Sequence, residues 1–87
     1  MPKYYVETGS LQDIVSASSP FNACLGAIRR ASDRYLLETG EENLTLGESF
    51  IVNERGFPSS REPFTLDTVN DTMLATVRII EAYENEN

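Results

Sequence analysis

The sequence predicts an α+β fold, in which a small antiparallel sheet of three to four strands carries two helices on one face, in the order β-β-α-β-(β)-α. Three observations predict it: a hairpin-like opening segment, two segments with apolar residues at helical spacing, and a β-rich stretch between them. Packing both helices on one face of the sheet is the simplest way to bury their apolar stripes. The 87 residues are expected to form one domain, residues 1–87.

The opening segment predicts a β-hairpin. Residues 3–8 and 11–17 have strand character, and a glycine at the first position of the two-residue link suits a type II′ turn. This turn places Tyr4 opposite Val15 and defines the strand faces. The predicted core face comprises Tyr4, Val6, Leu11, Val15 and Ala17. Asp13 interrupts that face, either as an acid with a raised pKa or as a hydrogen-bonded or solvated carboxylate near the sheet edge.

The first helix is predicted over residues 20–36. Ser19 is a suitable N-cap, and Pro20 occupies the first helical position, where the missing N–H does no harm. The predicted core stripe comprises Phe21, Cys24, Ile28, Ala31 and Tyr35, flanked by Leu25 and Ala27. The opposite side of the helix carries Asn22, Gly26, Arg29, Arg30 and Asp33.

The second half of the chain predicts a strand, a loop and a helix. Residues 50–52 are the centre of a third strand, and a loop rich in Gly, Pro and Ser follows. The segment FTL, residues 64–66, is a candidate short fourth strand. Asp67 or Thr68 is the expected N-cap of a helix over 68–84. Its predicted core stripe comprises Val69, Met73, Val77 and Ile80.

The composition argues against an enzyme, a metal site or a bound cofactor. The chain has no histidine, which removes the commonest general base and metal ligand. The single cysteine, Cys24, cannot form an internal disulfide or a cysteine-based zinc site, and its place on the core stripe predicts a buried thiol. No glycine-rich phosphate loop is present.

The charge balance predicts an acidic protein. Fourteen acidic against seven basic residues give a net charge of −7, which opposes binding to phosphate backbones and makes nucleic acid an unlikely partner. No apolar run approaches the roughly 20 residues of a membrane span, so no membrane association is expected. The N-terminus lacks the basic-then-apolar layout of a signal peptide, which predicts a cytoplasmic protein of bacterial type.

Three surfaces are candidate protein contacts. On the outward side of the first helix, Gly26 is expected to leave a notch beside Arg29 and Arg30, at a cost of about 1 kcal/mol relative to alanine. The notch is either ordinary surface or a place where another backbone approaches closely. The second surface is the open face of the hairpin, where Tyr5 lies opposite Ile14. The third is the loop that contains Phe57, whose ring either anchors a contact with a partner or tucks under the sheet.

The stretch YYVETGSLQDIVSASSPFNACLGAIRRA, about the first third of the chain, resembles small bacterial hairpin-plus-helix domains. In general character it is similar to the HicB-like antitoxins, which have a partial double-stranded-RNA-binding-type fold. Such a resemblance implies a binder of another protein and assigns no catalytic residue. The later stretch FIVNERGF, followed by a last helix, is more similar to other small bacterial proteins of this size.

These observations predict a small non-catalytic protein that acts through protein–protein contacts, with self-association as a homodimer as one form. One alternative is an antitoxin-like or regulatory binder that sequesters a basic protein through its acidity. The other is a nucleic-acid binder that uses Arg29, Arg30 and Arg34 of the first helix.

Overall fold

The computed structural model describes residues 1–34, 45–60, 66–67 and 69–85. It confirms the predicted fold class: a four-stranded antiparallel sheet with two helices. The elements are β1 (Lys3–Thr8), β2 (Leu11–Ser16), α1 (Pro20–Arg34), β3 (Ser49–Asn53), a 3₁₀ turn (Pro58–Ser60), β4 (Thr72–Ala75) and α2 (Thr76–Asn85). The strand order is β2-β1-β3-β4, so β2 and β4 form the edges of the sheet.

The hairpin has the predicted register, with Tyr4 opposite Val15 and Tyr5 opposite Ile14. Gly9 has a φ of 55°, which a type II′ turn requires at its first central residue. No other described residue has a positive φ. A side chain at Gly9 would also collide with the carbonyl oxygen of Thr45, because the segment before β3 lies on the turn.

Helix α1 begins at its predicted cap. The backbone N–H of Asn22 donates to the Ser19 hydroxyl at 3.1 Å, which satisfies one of the N–H groups left unpaired at the helix start. Cys24, Ile28 and Ala31 are buried as predicted, together with Leu25 and Ala27, and Phe21 packs at the margin of the core. The predicted final residues of this helix, 35 and 36, lie outside the described residues.

The core lies between the sheet and α1, and α2 closes one side of it. Its largest fully buried side chains are Phe50, Ile79, Val6, Val52 and Cys24. The predicted strand over residues 50–52 is confirmed, and its alternation sends Phe50 and Val52 into the core. None of the helices in the described residues has the length and apolar character needed to cross a membrane.

The prediction of a helix over 68–84 is wrong in its first part. Thr72–Ala75 is strand β4, paired antiparallel with β3, and the helix begins only at Thr76. The Asp67 carboxylate accepts the N–H groups of Val69 and Asn70, so it stabilises a tight turn and does not cap a helix. Thr68 and most of the predicted FTL strand lie outside the described residues.

The predicted core stripe of the last helix is also wrong. Val69, Met73 and Val77 are 88%, 51% and 61% exposed, whereas Ile79 is fully buried. A helix that starts at Thr76, after a strand, has a different phase from one that starts at residue 68. Ile80, the fourth predicted member, packs only at the margin of the core.

Candidate functional site

The two edges of the sheet differ in how their backbone groups are occupied. In a two-residue hairpin the first hydrogen-bonded pair is the one that closes the turn, here Thr8 and Leu11, and hydrogen-bonded pairs alternate from there. This alternation directs the N–H and C=O groups of Gln12, Ile14 and Ser16 away from β1, towards the free side of β2. A strand edge with unpaired groups is a template for pairing with another chain.

An ion pair occupies the middle of the β2 edge. The Ile14 N–H donates to Asp13 Oδ1 at 2.9 Å, and the Ile14 carbonyl oxygen accepts from the Arg30 guanidinium at 3.0 Å. Arg30 Nε and Asp13 Oδ2 are 3.3 Å apart, so the two side chains also pair with each other. We call this arrangement the edge clamp; it blocks both outward groups of Ile14. Of the two interpretations of Asp13, the structure supports the hydrogen-bonded carboxylate near the edge.

Gly26 does not open outward as a bare notch. It is half-buried, and a Cβ at this position would lie 3.0 Å from Cγ1 of Val15. The close approach expected at Gly26 is therefore made by the chain's own strand β2. Because this contact is tighter than ordinary van der Waals packing, a residue with a Cβ here requires Val15 to shift by a few tenths of an ångström.

An open groove of about 800 Å³ runs between β2 and α1, with Gly26 in its wall; we call it the β2–α1 groove. Its charged lining comprises Lys3, Arg29, Arg30 and Asp33. Because Arg30 is already paired with Asp13 and the acidic Asp33 also lines the groove, the groove carries charges of both signs. The sequence-predicted residues Gly26, Arg29 and Arg30 are thus brought together, beside the edge clamp.

The open face of the hairpin is partly covered by the chain itself. The loop after β3 folds back over the sheet, and the Phe57 ring meets the Tyr5 ring edge-on, with centroids 5.2 Å apart at 89°. Both rings are half-buried, while Ile14 remains 43% exposed. Of the two interpretations of Phe57, the structure supports the one in which it tucks against the sheet.

Polar contacts hold this loop in place. The Ser59 N–H donates to Glu7 Oε1 at 2.9 Å, and the Gln12 amide donates to the Ser59 hydroxyl at 2.7 Å. At the start of the loop, Oδ1 of buried Asn53 accepts the N–H groups of Arg55 and Gly56. These bonds identify Oδ1 as the acceptor, so Nδ2 is the donor that finds no hydrogen-bond partner among the described residues.

The β4 edge is uncharged, and nothing in the described residues pairs with its outer side. The Thr76 N–H donates to the Glu48 carbonyl at 2.9 Å, so alternation directs the N–H and C=O groups of Met73 and Ala75 outward. Residues 72–77 carry no charge, and the exposed apolar side chains of Met73 and Val77 lie here.

Sequence reasoning missed this edge because it predicted a helix here. The available signal was an uncharged stretch in which threonine recurs among apolar residues, TMLATV, which has strand character.

The reactivity of Cys24 follows from its burial. Cys24 is buried in the core, as predicted, and desolvation raises the pKa of its thiol to about 12. The thiol is therefore protonated at neutral pH and unreactive as a nucleophile. The described residues contain no group of three acidic or cysteine side chains placed to hold a metal ion.

Comparison with known proteins adds no identification. No family model matches the chain, and no curated protein or solved structure matches it. The resemblance of the first third to HicB-like antitoxins therefore stays an expectation from the sequence.

Proposed function

We propose that this chain is a non-catalytic protein that acts through protein–protein contacts, and that it pairs with a second copy of itself along β4. The observation that carries the proposal is the contrast between the two edges of one sheet. The β2 edge is blocked at Ile14 by a charged pair, whereas the β4 edge has outward backbone groups, no charge and exposed apolar side chains. Proteins protect edges that must stay unpaired with charged side chains, as β2 does.

The geometry of β4 suits a two-fold contact. If two copies of β4 run antiparallel about an axis at Leu74, Met73 of each copy lies opposite Ala75 of the other. Both residues direct their N–H and C=O groups outward, so the pairing gives four backbone hydrogen bonds. The same residues form the contact on both copies, so the assembly stops at two copies, as in most homodimers. It also joins the two sheets into one of eight strands.

The charge distribution favours self-association along the β4 edge over the β2 edge. Each copy carries a net charge of −7, so two copies repel at long range. Residues 72–77 bring no like charges into contact, and they bury Met73 and Val77. Because a four-residue edge buries much less than about 1,000 Å², we expect a weak dimer, with a Kd of roughly micromolar or higher.

The non-catalytic part of the proposal rests on the groups that are present. The chain has no histidine to serve as a general base. Its one cysteine is buried, with a pKa of about 12. In the described residues the carboxylates Asp13 and Asp67 accept hydrogen bonds from the chain itself, which supports structural roles for both.

The test compares one substitution on each edge by sedimentation equilibrium. Met73→Lys and Ile14→Lys each replace an exposed apolar residue of an edge strand with lysine, and they change the net charge equally. We expect Met73→Lys to weaken the dimer by about tenfold or more, because it places two lysines beside the paired edge, whereas Ile14→Lys has little effect. A monomeric wild type, or equal effects of the two variants, would contradict the proposal.

Salt separates this proposal from the nucleic-acid alternative. An uncharged strand contact should change little with added NaCl, whereas binding of a phosphate backbone by Arg29 and Arg30 would weaken steeply. Arg34, the third residue of that alternative, has its side chain outside the described residues.

A further inference from the structure

We infer that a cavity beneath the loop after β3 binds a free α-amino acid, a small molecule that carries one negative and one positive charge. We call it the loop cavity; its described lining comes from residues 53–60 and 67–71, and its volume is about 220 Å³. Pockets for drug-sized ligands measure roughly 300–1,000 Å³, so the loop cavity suits a smaller molecule. None of its described lining residues belongs to β4, so the inference does not depend on dimerisation along that strand.

The floor of the loop cavity contains a buried donor. Asn53, the last residue of β3, lines the cavity and is only 3% exposed. Its Oδ1 already accepts the N–H groups of Arg55 and Gly56, whereas its Nδ2 finds no partner among the described residues. Because buried polar groups are nearly always hydrogen-bonded, this donor points to an acceptor from outside the chain, such as a ligand carboxylate. Nδ2 is itself covered, so contact with a ligand requires a slight shift of the loop.

Arg55 supplies the positive charge of the loop cavity. It lines the cavity beside Asn53, and its side chain is exposed. Its guanidinium forms no direct ion pair and no side-chain hydrogen bond with the described residues. A guanidinium in this state can bind a carboxylate with two parallel hydrogen bonds.

Asp67 supplies a negative charge in the same cavity. The Asn70 side-chain amide and the backbone N–H groups of Val69 and Asn70 lower the pKa of Asp67, so it is ionised at neutral pH. These donors are neutral amides, and they leave the charge of the carboxylate in place. Arg55 attracts Asp67 electrostatically, but the two side chains form no direct ion pair. The loop cavity therefore presents two opposite charges that do not neutralise each other by contact.

This arrangement selects a zwitterion over a simple ion. A simple anion would be repelled by Asp67 and by the net charge of −7, and a simple cation would leave the Asn53 donor unpaired. A free amino acid places its carboxylate at Asn53 and Arg55 and its ammonium group near Asp67. The half-buried Phe57 ring, which also lines the cavity, offers an apolar contact to its side chain.

The experiment follows ¹H–¹⁵N NMR spectra of the protein while each of the free L-amino acids is added in turn. The side-chain amide signals of Asn53 report directly on the unpaired donor. We expect saturable shifts of these signals and of the loop backbone with at least one amino acid, with a Kd of about millimolar or tighter. Two analogues of that amino acid are the charge controls: its α-amide lacks the carboxylate, and its N-acetyl derivative lacks the ammonium group. Each should bind about tenfold or more weakly.

Two matched pairs of variants locate the site. Arg55→Gln removes the arginine of the loop cavity, and Arg78→Gln removes an exposed arginine of α2 with the same change in net charge. We expect the first to raise the Kd by about fivefold or more and the second by less than about twofold. Asn53→Asp keeps an acceptor for the loop but loses the Nδ2 donor, and it should abolish binding, whereas Asn22→Asp on α1 should not. Circular dichroism establishes that the variants are folded; if Asn53→Asp is not, the arginine pair decides.

Three results would overturn the inference. The first is the lack of any saturable shift of the Asn53 amide signals with all the amino acids. The second is equal binding of the parent amino acid and its two analogues. The third is an equal effect of Arg55→Gln and Arg78→Gln. None of these results alters the sedimentation of the wild type, so failure here is distinguishable from failure of the β4 dimer.

Discussion

The edge clamp makes a quantitative prediction about the free energy of unfolding. Asp13→Ala removes the acceptor of the Ile14 N–H and the partner of Arg30; Arg30→Ala removes the donor to the Ile14 carbonyl. A net hydrogen bond contributes about 1 kcal/mol. The ion pair adds roughly 0.5 kcal/mol, since the Arg30 side chain is 50% exposed and that of Asp13 14% exposed. Each single variant should therefore lose about 1–2 kcal/mol.

The double variant tests whether the two side chains act together. The side chains of Asp13 and Arg30 each hydrogen-bond to the backbone of Ile14, and they contact each other. Their losses of unfolding free energy should therefore not add, with a coupling energy of about 0.5–1 kcal/mol. Urea unfolding of wild type, both single variants and the double variant gives this value. The matched control pairs Arg30→Ala with Glu81→Ala, an exposed acid on α2, and should be additive. A coupling no larger than that of the control would refute the clamp.

Three further predictions concern single residues. Gly9→Ala should destabilise the protein by at least about 2 kcal/mol, because an alanine would be strained at positive φ and would strike Thr45; an unchanged urea midpoint would show that the turn does not need glycine. Phe57→Ala should lose about 1 kcal/mol, measured in the same way, through the lost edge-on contact with Tyr5, and a neutral effect would mean that the loop is not held by this ring. The Cys24 pKa, raised from 9.0 to about 12 by burial, means that the unfolded thiol ionises first as pH rises. The stability of wild type relative to Cys24→Ala should therefore fall between pH 9 and 12, and a constant difference across that window would contradict burial as the cause.

The sequence predictions were correct where a feature depends on residues close together in the sequence, and wrong where it depends on distant residues. The hairpin register and the start of α1 were predicted correctly because each depends on neighbours: a glycine turn sets the pairing, and Ser19 with Pro20 sets the helix start. The core stripe around Cys24 follows from one helical period.

The second half of the chain depended on distant partners. Residues 72–75 have apolar spacing that fits a helix, yet they form a strand because β3 offers an antiparallel partner and the pairing buries part of Leu74. The helix then starts at Thr76, so Ile79 is the residue that enters the core.

The predicted contact residues were brought together in an arrangement that spacing along the chain does not reveal. Arg30 belongs to α1, but its partners Asp13 and Ile14 belong to β2, so the pairing forms only when α1 packs beside β2. Phe57 meets Tyr5 across more than fifty residues of sequence, through a loop held by Ser59 and Glu7.

Local chemistry in the sequence alone determined the α+β class, the hairpin, the first helix and the lack of histidine-based chemistry. Tertiary packing alone decided that β2 and β4 are the edge strands, and that among the described residues only the β2 edge is blocked by an ion pair, because strand order depends on pairing between segments far apart in sequence. The same backbone stretch can therefore form a helix turn or an edge strand, according to whether a partner strand is within hydrogen-bonding distance.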